Sequence, residues 1–266
     1  MISKLRIVVI LLLSLAVLVI LLPFQLLGLL LAGLGWTWLA GLVPMLFHRS
    51  VLFIVGIRLT LHGKLEKKRP LLLVANHLSW LDIVVLGAVA PLSFVAKSEM
   101  ARWPVFGTLA KLQRTVFVER EDRRRSHHQA NEVADRMTAR EVMVLFPEGT
   151  TSDGNQLLQF KTSLFEAAKI ALARSPVETA AVQPAAIDYT HLHGLPMGRA
   201  GRPHVAWPGE LGLAESLLPV IREGALDVTV HLGETITLTD TSSRKTVAQE
   251  AVSSIRSMLD SSRHAS

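Results

Sequence analysis

Two short polar runs follow apolar, strand-like segments and carry side chains that could do acid–base chemistry. His77 and Asp82 follow the apolar residues 71–75, and the run Phe-Pro-Glu-Gly-Thr at 146–150 follows the apolar residues 142–145. A neutral imidazole can take a proton from a hydroxyl near neutral pH, and a carboxylate on its other nitrogen fixes the tautomer. The two runs therefore indicate chemistry on a phosphate-bearing or ester-forming substrate where buried strands end.

The two motifs differ in specificity. A His-x4-Asp spacing arises easily by chance in a chain with ten histidines, so a His77 that only follows a strand near a helix cap is the simpler interpretation of that pair alone. The run at 146–150 is more specific. Its proline and glycine shape a turn whose backbone amides can receive an anion or a glycerol oxygen.

An uncharged apolar segment near the start of the chain predicts a membrane anchor. Residues 7–47 contain no Lys, Arg, Asp or Glu, and a spanning helix needs about 20 apolar residues, so two helices fit. Pro23 and the glycines at 28, 33 and 35 offer places to bend. A signal peptide would be much shorter. Lys4 and Arg6 before the segment, with Arg49 and Arg58 after it, favour a spanning or re-entrant hairpin. We expect an inner-membrane protein whose catalytic domain faces the cytoplasm.

The basic character of the chain fits a membrane surface better than a nucleic acid. The formal net charge is +6 and the pI is near 10, but the cations cluster beside the apolar segment, where anionic lipid headgroups attract them. The single tyrosine argues against nucleic-acid binding. The adjacent histidines at 127 and 128 would point in different directions on a helix, and no metal site is predicted.

The pattern of strands and helices predicts an α/β fold, with a mostly parallel sheet flanked by helices and preceded by an N-terminal membrane-embedded helical hairpin. We divide the chain into an anchor at residues 1–48 and one catalytic domain at residues 49–266. The predicted strands are 51–61, 71–75, 92–96, 115–118, 142–146, 180–187, 204–207 and 226–232. The predicted helices are one beginning near Ser79, then 99–112 (interrupted), 123–140, 161–174 and 243–259.

The chain resembles the glycerolipid acyltransferase family, which includes the 1-acylglycerol-3-phosphate acyltransferases and their lysolipid relatives. Four motifs of that family occur in family order between about residues 70 and 190. They are Asn-His-x4-Asp at Asn76, His77 and Asp82; an apolar strand closing on Arg120; Phe-Pro-Glu-Gly-Thr at 146–150; and a strand with a central proline, Pro184. Lys161, after Phe160, also fits the family.

The resemblance implies a role for each matching residue. His77 would deprotonate the acceptor hydroxyl and Asp82 would orient it, with direct attack on an acyl thioester and no acyl-enzyme. Arg120 would bind the acceptor's phosphate, although an ion pair with Glu119 or Glu121 is the commoner fate of such an arginine. The other residues implied to bind substrate are Asn76, Phe146, Pro147, Glu148, Gly149, Thr150, Lys161 and Pro184. No cofactor is implied, because acyl carrier protein or coenzyme A thioesters serve as co-substrates, and membrane lipids and the lysolipid acceptor are the other partners.

The acceptor is less well determined than the reaction. The resemblance favours 1-acyl-sn-glycerol 3-phosphate, giving phosphatidic acid. However, Thr151 stands where the family often has a phosphate-holding arginine, and residues 150–155 and 192–199 resemble bacterial lyso-ornithine lipid acyltransferases. An ornithine lipid has no phosphate, so a lyso-ornithine lipid, or another lysophospholipid, is the alternative acceptor. A hydrolase or transacylase using the same pair, and a non-catalytic lipid-binding protein, are interpretations from other classes.

Overall fold

The computed structural model describes residues 2–119, 123–208 and 212–265, and of residues 2, 3, 123–128 and 265 it describes the backbone alone. The helices are α1 (Ile2–Gly33), α2 (Trp38–Val55), α3 (Leu81–Val89), α4 (Phe106–Leu112), α5 (Arg123–Thr138), α6 (Glu166–Arg174), α7 (Gly198–Gly201), α8 (Leu213–Glu223) and α9 (Arg244–Ala265). The strands are β1 (Ile57–His62), β2 (Leu71–Ala75), β3 (Ser93–Lys97), β4 (Val116–Val118), β5 (Val142–Leu145), β6 (Ala180–Leu192), β7 (Leu195–Pro196), β8 (Leu226–Leu232) and β9 (Ile236–Leu238).

The apolar N-terminal segment forms a hairpin of two helices, as predicted. The helix α1 runs unbroken through Pro23, and the chain reverses at residues 34–37. Gly28 lets the two helices approach closely, because a Cβ atom there would lie 2.9 Å from the backbone nitrogen of Ala40. Both helices are long and apolar enough to cross a membrane, by length and composition. Of the four positions that offered a place to bend, Gly33 and Gly35 lie at the turn, whereas Pro23 and Gly28 lie within α1.

The hairpin is bonded to the α/β domain near both ends of α1. Arg6 donates from Nη2 to the carbonyl oxygen of Val55 and from Nε to that of Ile221, at 2.9 and 3.2 Å. These carbonyls belong to the last turns of α2 and α8, where a cation is favourable. Gln25 donates to the carbonyl of Leu112 at the end of α4. The helix α1 therefore lies along the domain and does not project away from it.

The predicted strand at 51–61 is wrong in its first half. The helix α2 continues to Val55 and ends at Gly56, whose φ of 85° places it in the left-handed region that favours glycine. The strand β1 begins only at Ile57. The β-branched residues of this segment belong to an apolar helix that packs on α3, so packing overrides their strand preference. The helix also crosses residue 48, where we placed the end of the anchor.

The sheet confirms the predicted fold class. Its main path runs β1-β8-β6-β2-β5-β3-β4, and neighbouring strands along it are parallel except for β6 and β8. Alternate residues of β2 face opposite layers: Leu71 and Leu73 pack with α2, α3 and α8, and Leu72 and Val74 with α5, α6 and α9. Burial of β2 on both faces explains its continuous apolar run.

One local prediction holds and another fails near the edge of the sheet. The helix after β2 begins at Leu81, close to the predicted Ser79, whose hydroxyl accepts the backbone N–H of Leu81 at 3.3 Å. Residues 204–207 do not form a strand. His204 is the last residue of a 3₁₀ turn at Arg202–His204, and Val205 and Ala206, which come after the turn, are apolar because they are buried in the core.

Candidate active site

Parallel pairing brings the first and third motifs together. The strands β2 and β5 are neighbours, with Val74 opposite Leu145, so their carboxyl ends lie at the same edge of the sheet. His77 follows one strand and Glu148 the other, and the backbone N–H of His77 donates to Oε1 of Glu148 at 2.7 Å. Sites commonly form at this edge in open α/β sheets.

His77 and Asp82 form a hydrogen-bonded pair. Nδ1 of His77 lies 2.9 Å from Oδ2 of Asp82, whose side chain is fully buried. The same oxygen accepts the backbone N–H groups of Leu78 and Ser79 at 2.6 and 2.8 Å. The His77 side chain is 16% exposed, and Nε2 has no hydrogen-bond partner among the described residues. Because Oδ2 of Asp82 already accepts two N–H groups, it accepts from Nδ1 as well, so in the neutral ring Nε2 has the lone pair of a base.

Tyr189 completes the support of Asp82. Its hydroxyl donates to Oδ1 of Asp82 at 2.7 Å, and the ring is 2% exposed. Burial and the Asp82 carboxylate raise the pKa of Tyr189 well above its usual value, so the hydroxyl stays protonated and donates. Sequence reasoning missed this residue, because 107 positions separate it from Asp82. The only available signal was that it is the single tyrosine of the chain, close to the fourth motif.

We expect Tyr189→Phe to lower stability by about 1.5–3 kcal/mol, the usual contribution of a hydrogen bond to a charged group. The phenyl ring fills the same space, so the fold should survive. Turnover should fall while the acceptor KM stays near its wild-type value, because the hydroxyl supports Asp82 and does not touch substrate. Thermal unfolding together with steady-state kinetics checks both parts. Wild-type stability in the variant would show that this hydrogen bond contributes nothing.

The third motif packs against one side of His77. The ring of Phe146 stacks on His77, with centroids 4.1 Å apart and planes 16° apart. Glu148 is 3% exposed and also accepts the backbone N–H of Leu158 at 2.9 Å. Gly149 has a φ of 76°, which favours glycine. Pro147 accepts the backbone N–H of Lys161 at 2.9 Å. The side chains of Lys161 and Thr150 are exposed beside this turn and available to a ligand.

Burial raises the pKa of Glu148 from 4.5 to about 7, although backbone N–H donors work against the shift. Between these values the folded protein holds a proton that the unfolded chain lacks. The stabilisation that comes from this proton on Glu148 is therefore complete below about pH 4.5 and lost as the pH rises through about 7. Relative to Glu148→Gln, wild type should lose about 3 kcal/mol between pH 4.5 and 8. Denaturation in detergent across this range checks the difference, and parallel pH profiles would contradict it.

Two further segments hold the backbone around His77. Ser152 donates its backbone N–H to the carbonyl of His77 at 3.1 Å. Thr151 donates its hydroxyl to the carbonyl of Trp207, and the backbone N–H of Trp207 donates to the carbonyl of Leu78 at 2.9 Å. Thr151, which stands where the family often has an arginine, therefore makes a hydrogen bond to a backbone carbonyl.

Asn76 and Pro184 both make contacts within the sheet, and the substrate-binding role that we expected for them stays a prediction. The Asn76 amide is buried and both of its groups bond the backbone of Ile187, so it extends the pairing of β2 with β6. Pro184 is buried within β6, between the residues that pair with β9 and those that pair with β8, where no ladder N–H is needed. Both residues shape the sheet in this structure.

Arg120 lies outside the described residues. The strand β4 ends at Val118, parallel to β3, so its carboxyl end lies at the same edge of the sheet as those of β2 and β5. The second motif therefore belongs to this edge by topology, and the position of the arginine side chain is left to experiment.

Comparison with known proteins finds acyltransferases. The family model described as Acyltransferase matches residues 57–188. A lyso-ornithine lipid O-acyltransferase of Rhizobium meliloti is 50% identical over 90% of this chain and 81% of its own length. Its namesake in Brucella abortus is 49% identical over 98% of this chain and 96% of its own length. The crystal structure of the 1-acyl-sn-glycerophosphate acyltransferase PlsC from Thermotoga maritima superposes with a TM-score of 0.61 at 18% identity, covering 96% of this chain and 97% of that chain, and shows the same fold.

Proposed function

The chain belongs to the glycerolipid acyltransferase family and is a lysolipid O-acyltransferase, and from this premise we propose that its acceptor is lyso-ornithine lipid. The observation that carries the proposal is that two relatives of about half identity, over nearly the whole chain, bear that name. Our expectation from the motifs alone put 1-acylglycerol 3-phosphate first. Relatives of that class match a smaller part of the chain: a 1-acyl-sn-glycerol-3-phosphate acyltransferase of Neisseria gonorrhoeae is 41% identical over 39% of it. The solved structure of that class is 18% identical and supports the fold alone.

The geometry around Thr151 supports an acceptor without phosphate. Its side chain donates to the carbonyl of Trp207, so this turn carries a neutral group where a phosphate-binding member often has a cation. An ornithine headgroup presents a carboxylate and an ammonium group. We propose that Arg120 receives the carboxylate, because a guanidinium fork suits both carboxylate and phosphate oxygens.

In the proposed mechanism, Nε2 of His77 takes the proton of the acceptor hydroxyl while Asp82 stabilises the imidazolium that forms. The acceptor oxygen attacks the thioester carbonyl carbon, the new ester C–O bond forms, and the C–S bond breaks. The leaving thiolate belongs to acyl carrier protein or coenzyme A, and the imidazolium returns the proton to it. The chain has no cysteine and no Gly-x-Ser-x-Gly elbow, so the acyl group passes directly between substrates.

We further propose that the hairpin anchors the protein in the inner membrane with the catalytic domain in the cytoplasm. The hydrogen bonds of Arg6 and Gln25 hold α1 against the domain, so the apolar surface of the hairpin and the catalytic edge move together. The cations Lys4, Arg6, Arg49 and Arg58 flank the apolar residues on the domain side, which favours a cytoplasmic domain.

A panel of acceptors tests the reaction and its class together. Purified protein in detergent receives a labelled acyl thioester with lyso-ornithine lipid, with 1-acylglycerol 3-phosphate, or with no acceptor. We expect labelled ornithine lipid as the main product. Release of free fatty acid without an acceptor would favour a hydrolase, and no product with any acceptor would favour a binding protein. Phosphatidic acid as the main product would restore our first expectation.

A further inference from the structure

An apolar turn projects from the catalytic domain next to the candidate active site. We call residues 103–106, Trp-Pro-Val-Phe, the 103–106 turn. At its tip, Val105 is 65% exposed and Phe106 is 39% exposed. Exposing large apolar side chains at such a tip to water is unfavourable in free energy, whereas placing them in lipid carries no such cost.

The 103–106 turn is rigid and strained. The backbone N–H of Phe106 donates to the carbonyl of Pro104 at 2.7 Å, and Val105 between them has φ 63° and ψ −59°. This is a γ-turn of the rare, strained kind, and a β-branched residue at its centre is a strong outlier. A Cβ atom on Gly107 would lie 2.5 Å from the carbonyl oxygen of Ala101, so the chain packs tightly behind the turn. The surrounding structure thus enforces a conformation that holds Val105 outward, and such enforced strain is concentrated at functional places.

The 103–106 turn is connected to the catalytic residues through two tryptophans. The ring of Trp103 meets that of Trp207 edge to face, with centroids 5.7 Å apart. The backbone N–H of Trp207 donates to the carbonyl of Leu78, the residue after His77. Whatever surface the turn touches is therefore close to the base.

The 103–106 turn is also close to the apolar hairpin. The helix α4 begins at Phe106 and ends at Leu112, whose carbonyl accepts from Gln25 of α1 at 2.5 Å. With a rise of 1.5 Å per residue, the turn lies roughly 9 Å along α4 from the hairpin. Arg102 and Lys111 are exposed cations on either side of it, placed where anionic headgroups would attract them.

We propose that the 103–106 turn enters the lipid bilayer as a membrane contact separate from the hairpin. Val105 and Phe106 lie in the apolar layer, and Trp103 and Trp207 lie at headgroup depth, where indole rings are favoured. The attachment of α4 to the apolar helix α1 through Gln25, with the turn at the other end of α4, identifies the bilayer as the occupant. The contact holds the His77 edge of the sheet at the lipid surface, so a lysolipid reaches the base without leaving the membrane.

Site-specific labelling tests the contact directly, because the chain contains no cysteine. An environment-sensitive fluorophore is attached to the full-length Val105→Cys variant in vesicles of phosphatidylethanolamine and phosphatidylglycerol. Val177→Cys is the matched control: Val177 is 40% exposed and lies after α6, which packs on the opposite face of the sheet from α2 and α3. Quenchers in the acyl-chain region should act at least about threefold more strongly at 105 than at 177, because only inserted groups meet them. Equal quenching at the two positions would overturn the proposal.

An activity comparison gives a second measurement. Val105→Asp should lower transfer to acceptors embedded in vesicles about tenfold, an effect of about 1.4 kcal/mol, and should leave transfer in detergent micelles unchanged. Val177→Asp should change neither. Unchanged vesicle activity in a folded Val105→Asp protein would overturn the proposal. If that variant fails to fold, the labelled cysteine variant decides. The label reports depth whichever acceptor the enzyme uses, so its result is independent of the proposed acceptor.

Discussion

Replacing His77 with alanine should reduce acyl transfer by about 10²–10⁴-fold, the usual contribution of a positioned general base. Its Nδ1 is bonded to a buried carboxylate and its Nε2 is the atom left for the acceptor hydroxyl. No other described histidine has both properties. The loss should appear in kcat, measured with labelled acyl thioester and saturating lysolipid.

The variant should otherwise behave like the wild-type protein. Its association with vesicles should survive, because the apolar hairpin is unchanged. His264→Ala is the matched control: His264 is exposed near the end of α9, where alanine suits a helix, and its removal should leave transfer unchanged. Turnover near the wild-type rate in His77→Ala would remove the histidine from the mechanism.

Substituting Asp82 with asparagine should reduce turnover by up to about 10⁴-fold, as the same change does in a catalytic triad. The structure indicates why the change isolates charge. The amide oxygen can replace Oδ2, which accepts from His77, Leu78 and Ser79. The amide nitrogen would then face the Tyr189 hydroxyl, which can accept as well as donate. The backbone around the base would stay in place while the imidazolium loses its counter-charge.

The control for this variant is Asp260→Asn on the exposed surface of α9, which should have no effect. The kinetic result should separate kcat from KM, because Asp82 is fully buried behind the base and does not reach a substrate. A variant with normal kcat and a raised acceptor KM would instead place Asp82 in acceptor binding.

The sequence predicted the sheet and the central pair well, for physical reasons. A strand buried on both faces reads as a short continuous apolar run, as at residues 71–75 and 142–145, and its carboxyl end is where a loop meets the active edge. His77 and Glu148 could therefore be placed at one edge before their contact was seen. The long-range partner Tyr189 could not, because β6 returns beside β2 only after more than a hundred residues.

The errors share one cause, which is that local preference yields to packing. Val51, Ile54 and Val55 favour strands by side-chain shape, but their apolar surface extends a helix that packs on α3. Val205 and Ala206 are apolar because they are buried beneath a turn. The amide of Asn76 bonds the backbone of Ile187 with both of its groups, a structural role that its motif did not indicate, and its substrate-binding role stays a prediction. No local pattern distinguishes these outcomes.

The motifs determine the reaction more strongly than the lipid. In the proposed mechanism, His77, Asp82 and the turn at 146–150 act on a hydroxyl and an ester, and those groups are common to many lysolipids. We expect the headgroup of the acceptor to contact residues outside these motifs. Within the sequence, Thr151 was the residue that indicated an acceptor without phosphate. Its hydrogen bond to the carbonyl of Trp207 gives that prediction a structural basis. Two relatives of about half identity are named lyso-ornithine lipid O-acyltransferases, and this supports the same proposal.

A direct competition tests the central claim. Lyso-ornithine lipid and 1-acylglycerol 3-phosphate, with matched chains and at equal concentration in the same vesicles, compete for a limiting amount of labelled acyl thioester. The product ratio gives the ratio of the two kcat/KM values. We predict at least about tenfold more labelled ornithine lipid than phosphatidic acid, a difference of about 1.4 kcal/mol in transition-state binding. Equal products, or an excess of phosphatidic acid, would contradict the proposed acceptor.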